Sequence, residues 1–161
     1  MRKFLLPVMG LVLPMAAHAA CEGETYLDCP TEDGRHIQAC IGAETFTYRF
    51  GKPEKWDITL ETPIADGTAR PWDGMGSSFY ASIRFINGDY AYDVWTSTPK
   101  GEDEGGPYGG VTVMKGEEVV ADLACNGGTI AAPFTLEDAM DARGYCYDLN
   151  AMTWKTKPDC G

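Results

Sequence analysis

Histidine is the scarcest chemically useful residue in this 161-residue chain: there are two, and His18 lies in a leader-like segment, which leaves His36 alone. A histidine-based zinc centre cannot be assembled from one imidazole. Serine is nearly as rare. A serine–histidine–acid set would have to join His36 to Ser77, Ser78, Ser82 or Ser97, and no nucleophile-elbow sequence surrounds any of them. His36, beside Cys40 on an early strand, therefore reads as an ordinary strand residue. Basic residues are the third shortage, with 13 Lys and Arg against 24 Asp and Glu and a net charge of −11. Nucleic acids and anionic lipid surfaces need basic patches, so neither is expected as a partner. Carboxylates are so plentiful that no pair of them singles out a glycosidase. Repeats, low-complexity tracts and linkers are missing as well. No catalytic residue, metal or cofactor is expected, and the chain reads as a non-enzyme.

What is present begins with an export signal. Arg2 and Lys3 supply positive charge, the apolar stretch from Phe4 to Met15 is broken by Pro7 and Pro14, and Ala17-His18-Ala19 offers a cleavage site. The segment 1–20 is too short and too interrupted for a membrane span. Residues 21–161 are then expected as one β-rich domain, periplasmic or secreted, released by cleavage near Ala19 or Ala20. That domain carries 11 basic and 24 acidic residues, a balance of −13. Such a charge serves solubility, or draws in a basic protein by long-range attraction.

All six cysteines, Cys21, Cys29, Cys40, Cys125, Cys146 and Cys160, lie in the exported part, where they are expected to be oxidised. His18 stands where lipoprotein processing wants a larger aliphatic residue, and an even count favours Cys21 as a bridge partner over a lipid anchor. The connectivity stays open. A tight hairpin at Glu32-Asp33-Gly34 brings Cys29 beside His36 or Ile37 and so disfavours a Cys29–Cys40 bridge. Joining Cys40 to Cys125 would staple the first and last strands, with Cys21–Cys29 and Cys146–Cys160 as local loops.

Strand patterns dominate the rest. Phe46, Tyr48 and Phe50 alternate with Thr45, Thr47 and Arg49, and Trp56, Ile58 and Leu60 continue the pattern after a Gly51-Lys52-Pro53-Glu54 turn. Asn87-Gly88 suits a two-residue hairpin turn, which would set Phe85 against Tyr90, Ile83 against Tyr92 and Ala81 against Val94. Gly116-Glu117 predicts a second hairpin with Lys115 opposite Glu118, Met114 opposite Val119 and Val113 opposite Val120. One short helix is expected near the C-terminus, opened by a capping-box-like Thr135 and Asp138, with Leu136 and Met140 on one face and Gly144 after its last turn. About seven or eight strands joined as hairpins predict an all-β, disulfide-linked antiparallel meander that closes into a small barrel or sandwich.

Hairpin geometry also says where a site would lie. The strands meeting at Asn87-Gly88 have their far ends together, where the long segment from Thr62 to Gly76 enters and that from Thr98 to Gly110 leaves. Loops of this length are more often functional than plain connectors. Trp72, Ser77, Ser78, Tyr80, Lys100 and Tyr108 are the candidate binding residues of this rim, unless Trp72 merely plugs the end of the fold. Glu102-Asp103-Glu104 is weighed as a weak calcium loop, although it lacks EF-hand spacing.

The run from His36 to Leu60 (HIQACIGAETFTYRFGKPEKWDITL), then NGDYAYDVWTS and VTVMKGEEVVADLAC, resembles the strand order of the bacterial periplasmic and membrane-bound inhibitors of c-type lysozyme. The resemblance spans about Gln38 to Asn126, with Cys40, Tyr92, Trp95 and Cys125 as landmarks. It implies an eight-stranded antiparallel barrel, a bridge between the early and late cysteines, no cofactor, and inhibition by a loop inserted into the lysozyme cleft. The inhibitory SGxxY element would fall at Gly76-Ser77-Ser78-Phe79-Tyr80 with glycine and serine exchanged. The family's lysine after the tryptophan is replaced by Thr96 and Ser97, the nearest candidate being Lys100. The motifs DGRHIQAC, TFTYRFG and PWDGMG also look like those of small exported bacterial proteins. The expected function is an exported binding or inhibitor protein gripping a basic protein such as a lysozyme. The alternatives are an envelope-associated structural domain and, more remotely, a hydrolase.

Overall fold

The computed structural model describes residues 20–101 and 105–160; the expected leader and the Glu102-Asp103-Glu104 triplet lie outside the described residues. Alternation of apolar and polar residues builds β1 (Glu24–Pro30), β2 (His36–Ile41), β3 (Thr45–Lys52) and β4 (Lys55–Pro63) as consecutive hairpins. After a 3-10 turn at Ile64–Asp66 come β5 (Ala69–Arg70), β6 (Ser78–Asn87), β7 (Tyr90–Pro99), β8 (Tyr108–Lys115), β9 (Glu118–Ala124) and β10 (Thr129–Ile130). The helix α1 (Phe134–Ala142) and a small hairpin of β11 (Tyr145–Asp148) and β12 (Thr153–Thr156) follow. One five-stranded sheet runs β10-β1-β2-β3-β4, the other β5-β6-β7-β8-β9. Each ends on a two-residue stub, so neither sheet closes on itself. The fold is all-β with one helix, as expected, and it is two open sheets rather than a barrel.

The inner faces meet in one core. Phe46, Tyr48 and Phe50 of β3, Ile37, Ala39 and Ile41 of β2, and Ala81, Ile83 and Phe85 of β6 are all buried there. Tyr48 reaches across the interface to Phe85 and Tyr92, with centroids 5.6 and 5.7 Å away. Each such large side chain contributes about 1.5–3 kcal/mol by leaving water. A buried polar clasp accompanies them: the Tyr26 hydroxyl lies 3.0 Å from the Ala81 carbonyl and 3.0 Å from Thr96 Oγ1. This satisfies groups that would be costly if left unpaired. Leu136, Ala139 and Met140 share the buried face of α1. From its end, Arg143 donates to the Ala139 carbonyl at 2.6 Å and to Gly42 at 2.7 and 3.0 Å.

The cysteines correct two expectations and meet three. Cys29 faces Ile37 across the β1–β2 hairpin, which rules out a Cys29–Cys40 bridge. Cys146 bonds Cys160 as expected, and Cys21 is bridged. Cys40, however, bonds Cys21, and Cys29 bonds Cys125. The Cys40–Cys125 and Cys21–Cys29 pairings fail because Cys125 meets β1 at Cys29, while Cys40 stands opposite Thr25 at the other end of the β1–β2 hairpin. Past β9 the chain crosses to the end of β1, where Asn126 N–H donates to the Pro30 carbonyl at 2.8 Å, and this sets Cys125 beside Cys29.

Three local expectations also shift. The hairpin turn centres on Gly88-Asp89, with Asn87 opposite Tyr90 and Phe85 opposite Tyr92. Only Gly88 then needs a positive φ, here +58°, whereas a turn on Asn87-Gly88 would ask it of asparagine too. The slide keeps every residue on its expected face. In the next hairpin Lys115 faces Glu118 and Met114 faces Val119, but Val113 faces Ala121: Val120 is an extra residue in a bulge. Finally, Thr135 lies inside α1, whose N-cap is Pro133, with no side-chain cap.

Candidate functional site

The rim forms where β6 begins and β7 ends. Ser78 pairs with Pro99 and Tyr80 with Ser97, so the segments before β6 and after β7 emerge side by side. Two hydrogen bonds fasten them: Lys100 N–H donates to the Ser77 carbonyl at 3.0 Å, and Lys100 Nζ donates to the Gly76 carbonyl at 2.7 Å. The same ammonium sits 4.5 Å from the Trp72 ring centroid and 5.5 Å from that of Phe79. A cation over a ring face is held by the quadrupole of the π system, by about 0.5–1 kcal/mol at an exposed site. Trp72 Nε1 donates to the Met75 carbonyl at 2.9 Å, and Met75 N–H donates to Asp73 Oδ1 at 3.0 Å, folding the loop on itself.

Trp72 is half-buried against Phe79, at 4.9 Å and edge-on, and against Phe134 of α1 at 6.1 Å. It therefore belongs to an aromatic cluster at the rim, with the Lys100 ammonium over its ring. The expected convergence of Trp72, Ser77, Ser78 and Lys100 is what the structure places at the rim, but Lys100 is an exposed fastener whose ammonium is engaged by Gly76 and Trp72. Phe79 and Phe134 were not anticipated. The alternation of β6 could have placed Phe79; nothing in the local sequence ties Phe134 to a loop some sixty residues earlier.

Tyr80 and Tyr108 do not sit on the fastened loops themselves. Both face Ser97 from opposite sides, Tyr80 from β6 and Tyr108 from β8, which puts them on the outer face of the second sheet just below the rim. Met75, Tyr80 and Tyr108 are 72%, 43% and 49% exposed, unusual values for large apolar side chains so close together. A groove of about 360 Å³ runs between Trp72, Met75 and Tyr80 on one side and Tyr147 and Met152 of the small hairpin on the other. Partial burial, and then the neighbouring Asp93 carboxylate, raises the pKa of the Tyr80 phenol, which stays a neutral donor at physiological pH. A larger hollow of about 770 Å³ lies on the first sheet, lined by polar groups including Glu22, Arg49 and Glu61, and is remote from the rim.

Among the described residues no cluster of His, Cys, Asp and Glu could hold a metal, and no helix is long and apolar enough to cross a membrane. His36 sits on β2 with Nδ1 3.6 Å from Asp28. The class so defined is a disulfide-stapled, two-sheet β protein with a loop-built aromatic rim. No family model, curated protein or solved structure gives a significant match to the chain.

Proposed function

We propose that this chain is an exported binding protein, periplasmic or secreted after removal of segment 1–20, that acts without catalysis by gripping a basic protein at the rim and the tyrosines below it. The observation that carries the reading is the exposure of Met75, Tyr80 and Tyr108 beside two loops already fastened by Lys100. Pre-fastened loops lose little entropy on binding, and exposed aromatics are the usual anchors of protein interfaces. The balance of −13 on residues 21–161 supplies steering towards a basic partner. Three disulfides suit an oxidising compartment.

A c-type lysozyme is the proposed partner, on the strength of the resemblance of strand order between Gln38 and Asn126. Since the Lys100 ammonium is engaged with Gly76 and Trp72, the contact to the enzyme falls to Ser77, Ser78, Tyr80 and Tyr108. Lysis of cell walls by a c-type lysozyme, measured with excess purified 21–161, tests this. The expected result is inhibition that a Tyr80→Ala/Tyr108→Ala double variant weakens by at least about tenfold. Undiminished lysis with the folded wild-type protein overturns the lysozyme assignment.

A further inference from the structure

The outer face of the second sheet carries three successive rows in register. The first holds Tyr80, Ser97 and Tyr108; the second Ser82, Trp95, Gly110 and Ala124; the third Arg84, Asp93, Thr112 and Asp122. In the middle row, a Cβ on Gly110 would lie 2.9 Å from Trp95 Cζ2. The indole is therefore laid across β8 in the space that glycine leaves. The Tyr80 ring is nearly parallel to it, at 21° and 6.4 Å. The two rings thus lie roughly parallel and diagonal to one another on this face of the sheet. The third row is all hydrogen-bonding groups: Arg84 Nε and Nη2 donate to the two Asp93 oxygens at 2.6 Å each, and Thr112 donates to Asp122 at 2.9 Å.

We infer that this face is a binding platform for a neutral oligosaccharide, with Trp95 and Tyr80 as the stacking surface and Arg84, Asp93, Thr112 and Asp122 as the hydroxyl-binding row. A pyranose ring has C–H bonds on its face and hydroxyls around its rim. The C–H face packs on the negative face of an aromatic ring, and the hydroxyls need paired donors and acceptors alongside. The three rows supply those two demands side by side on one face of the sheet. Arg84 uses two of its three nitrogens on Asp93, which leaves Nη1 for a further acceptor. Charge selects among sugars: with a balance of −13 on residues 21–161 and carboxylates in the third row, uronates and sulfated or phosphorylated glycans are repelled. A nucleic acid is disfavoured on the same ground.

The platform goes beyond the rim reading, although Tyr80 belongs to both, and it is tested without any lysozyme. Purified 21–161 is titrated with chitohexaose, cellohexaose and hexagalacturonate, followed by calorimetry and by protection of tryptophan emission from acrylamide quenching. Saturable binding of at least one neutral hexasaccharide is expected, with hexagalacturonate weaker by at least about tenfold. Trp95→Ala should lower the neutral-sugar affinity about tenfold or more and Tyr80→Ala by a smaller factor, as expected for loss of an aromatic stack. Trp56→Ala, on the opposite sheet, should leave it unchanged. Near-ultraviolet circular dichroism verifies that each variant is folded; if Trp95→Ala does not fold, Tyr80→Ala and the wild-type quenching data decide. Absence of binding to both neutral sugars, equal binding of hexagalacturonate, or undiminished affinity in the folded variants overturns the inference.

Discussion

The two five-stranded sheets bury similar inner faces and finish their outer faces in opposite ways. On the first sheet, Gln38 Nε2 donates to Asp28 at 3.1 Å and Gln38 Oε1 accepts from Arg49 at 3.0 Å, a polar chain across β1, β2 and β3. The Cys21–Cys40 bridge ties the segment before β1 to β2. On the second sheet, Tyr80, Trp95 and Tyr108 stand where that polar chain would be, and Ile86, Val119 and Val120 are exposed further along. The first face is complete in itself. The second keeps costly apolar surface in water beside polar groups, and an exposed patch of that kind marks a contact surface.

The sharpest way to break this comparison is at the staple between the sheets. Cys29 and Cys125 are 96 residues apart, and a cross-link of that span restrains the unfolded chain by about 4–5 kcal/mol. Replacing both by serine is expected to cost that order of stability in urea unfolding and to raise amide exchange in both sheets. Cys146→Ser with Cys160→Ser, closing a separation of only 14 residues, should loosen the β11–β12 hairpin and leave exchange in β1 and β6 unchanged.

Next in size is the clasp under both sheets. Tyr26→Phe removes the hydroxyl from the buried Ala81 carbonyl and Thr96, at an expected cost of about 1–3 kcal/mol. Burial also raises the Tyr26 pKa above its ordinary value of 10.0. The folded state thus holds that proton more tightly than the unfolded chain does. The resulting stability is fully present below pH 10 and declines as pH rises beyond it. Chemical denaturation along an alkaline series should show the decline in the wild type and a shallower one in Tyr26→Phe.

The outer faces themselves differ by less. Gln38 is buried between its two partners, so Gln38→Ala should cost about 1–2 kcal/mol by orphaning Asp28 and Arg49. Arg84→Gln breaks an ion pair on an exposed arginine, worth under about 1 kcal/mol and screened by salt. Equal losses in melting experiments would mean that the two outer faces are built alike.

Much of the fold was legible because alternation is local. The period of two put Phe46, Tyr48 and Phe50 of β3, Ile58 and Leu60 of β4, Ala81, Ile83 and Phe85 of β6 and Tyr92 and Val94 of β7 on the core side, and the Glu32-Asp33-Gly34 turn set Cys29 beside His36 or Ile37, of which Ile37 is the partner. The failures concern contacts between segments far apart. Which thiol Cys40 meets depends on where the chain before β1 lies, and Cys125 is steered by the crossing to Pro30. Sheet closure, too, depends on the stubs β5 and β10, two residues each and without a period to read. At the site, the convergence of the two loops followed from one hairpin. The engagement of Lys100 by Gly76 and Trp72 did not, because a carbonyl and a ring face are brought to the ammonium only once the loop is folded.

The central claim is that the partner is met by the rim and outer face of the second sheet. It is tested most directly by the affinity of 21–161 for an immobilised c-type lysozyme, comparing Tyr80→Ala/Tyr108→Ala with Thr59→Ala on the outer side of the first sheet. Salt-sensitive binding is expected, weakened at least about tenfold by the tyrosine pair and untouched at Thr59. No binding by the wild type, or equal affinity for all three proteins, contradicts the claim.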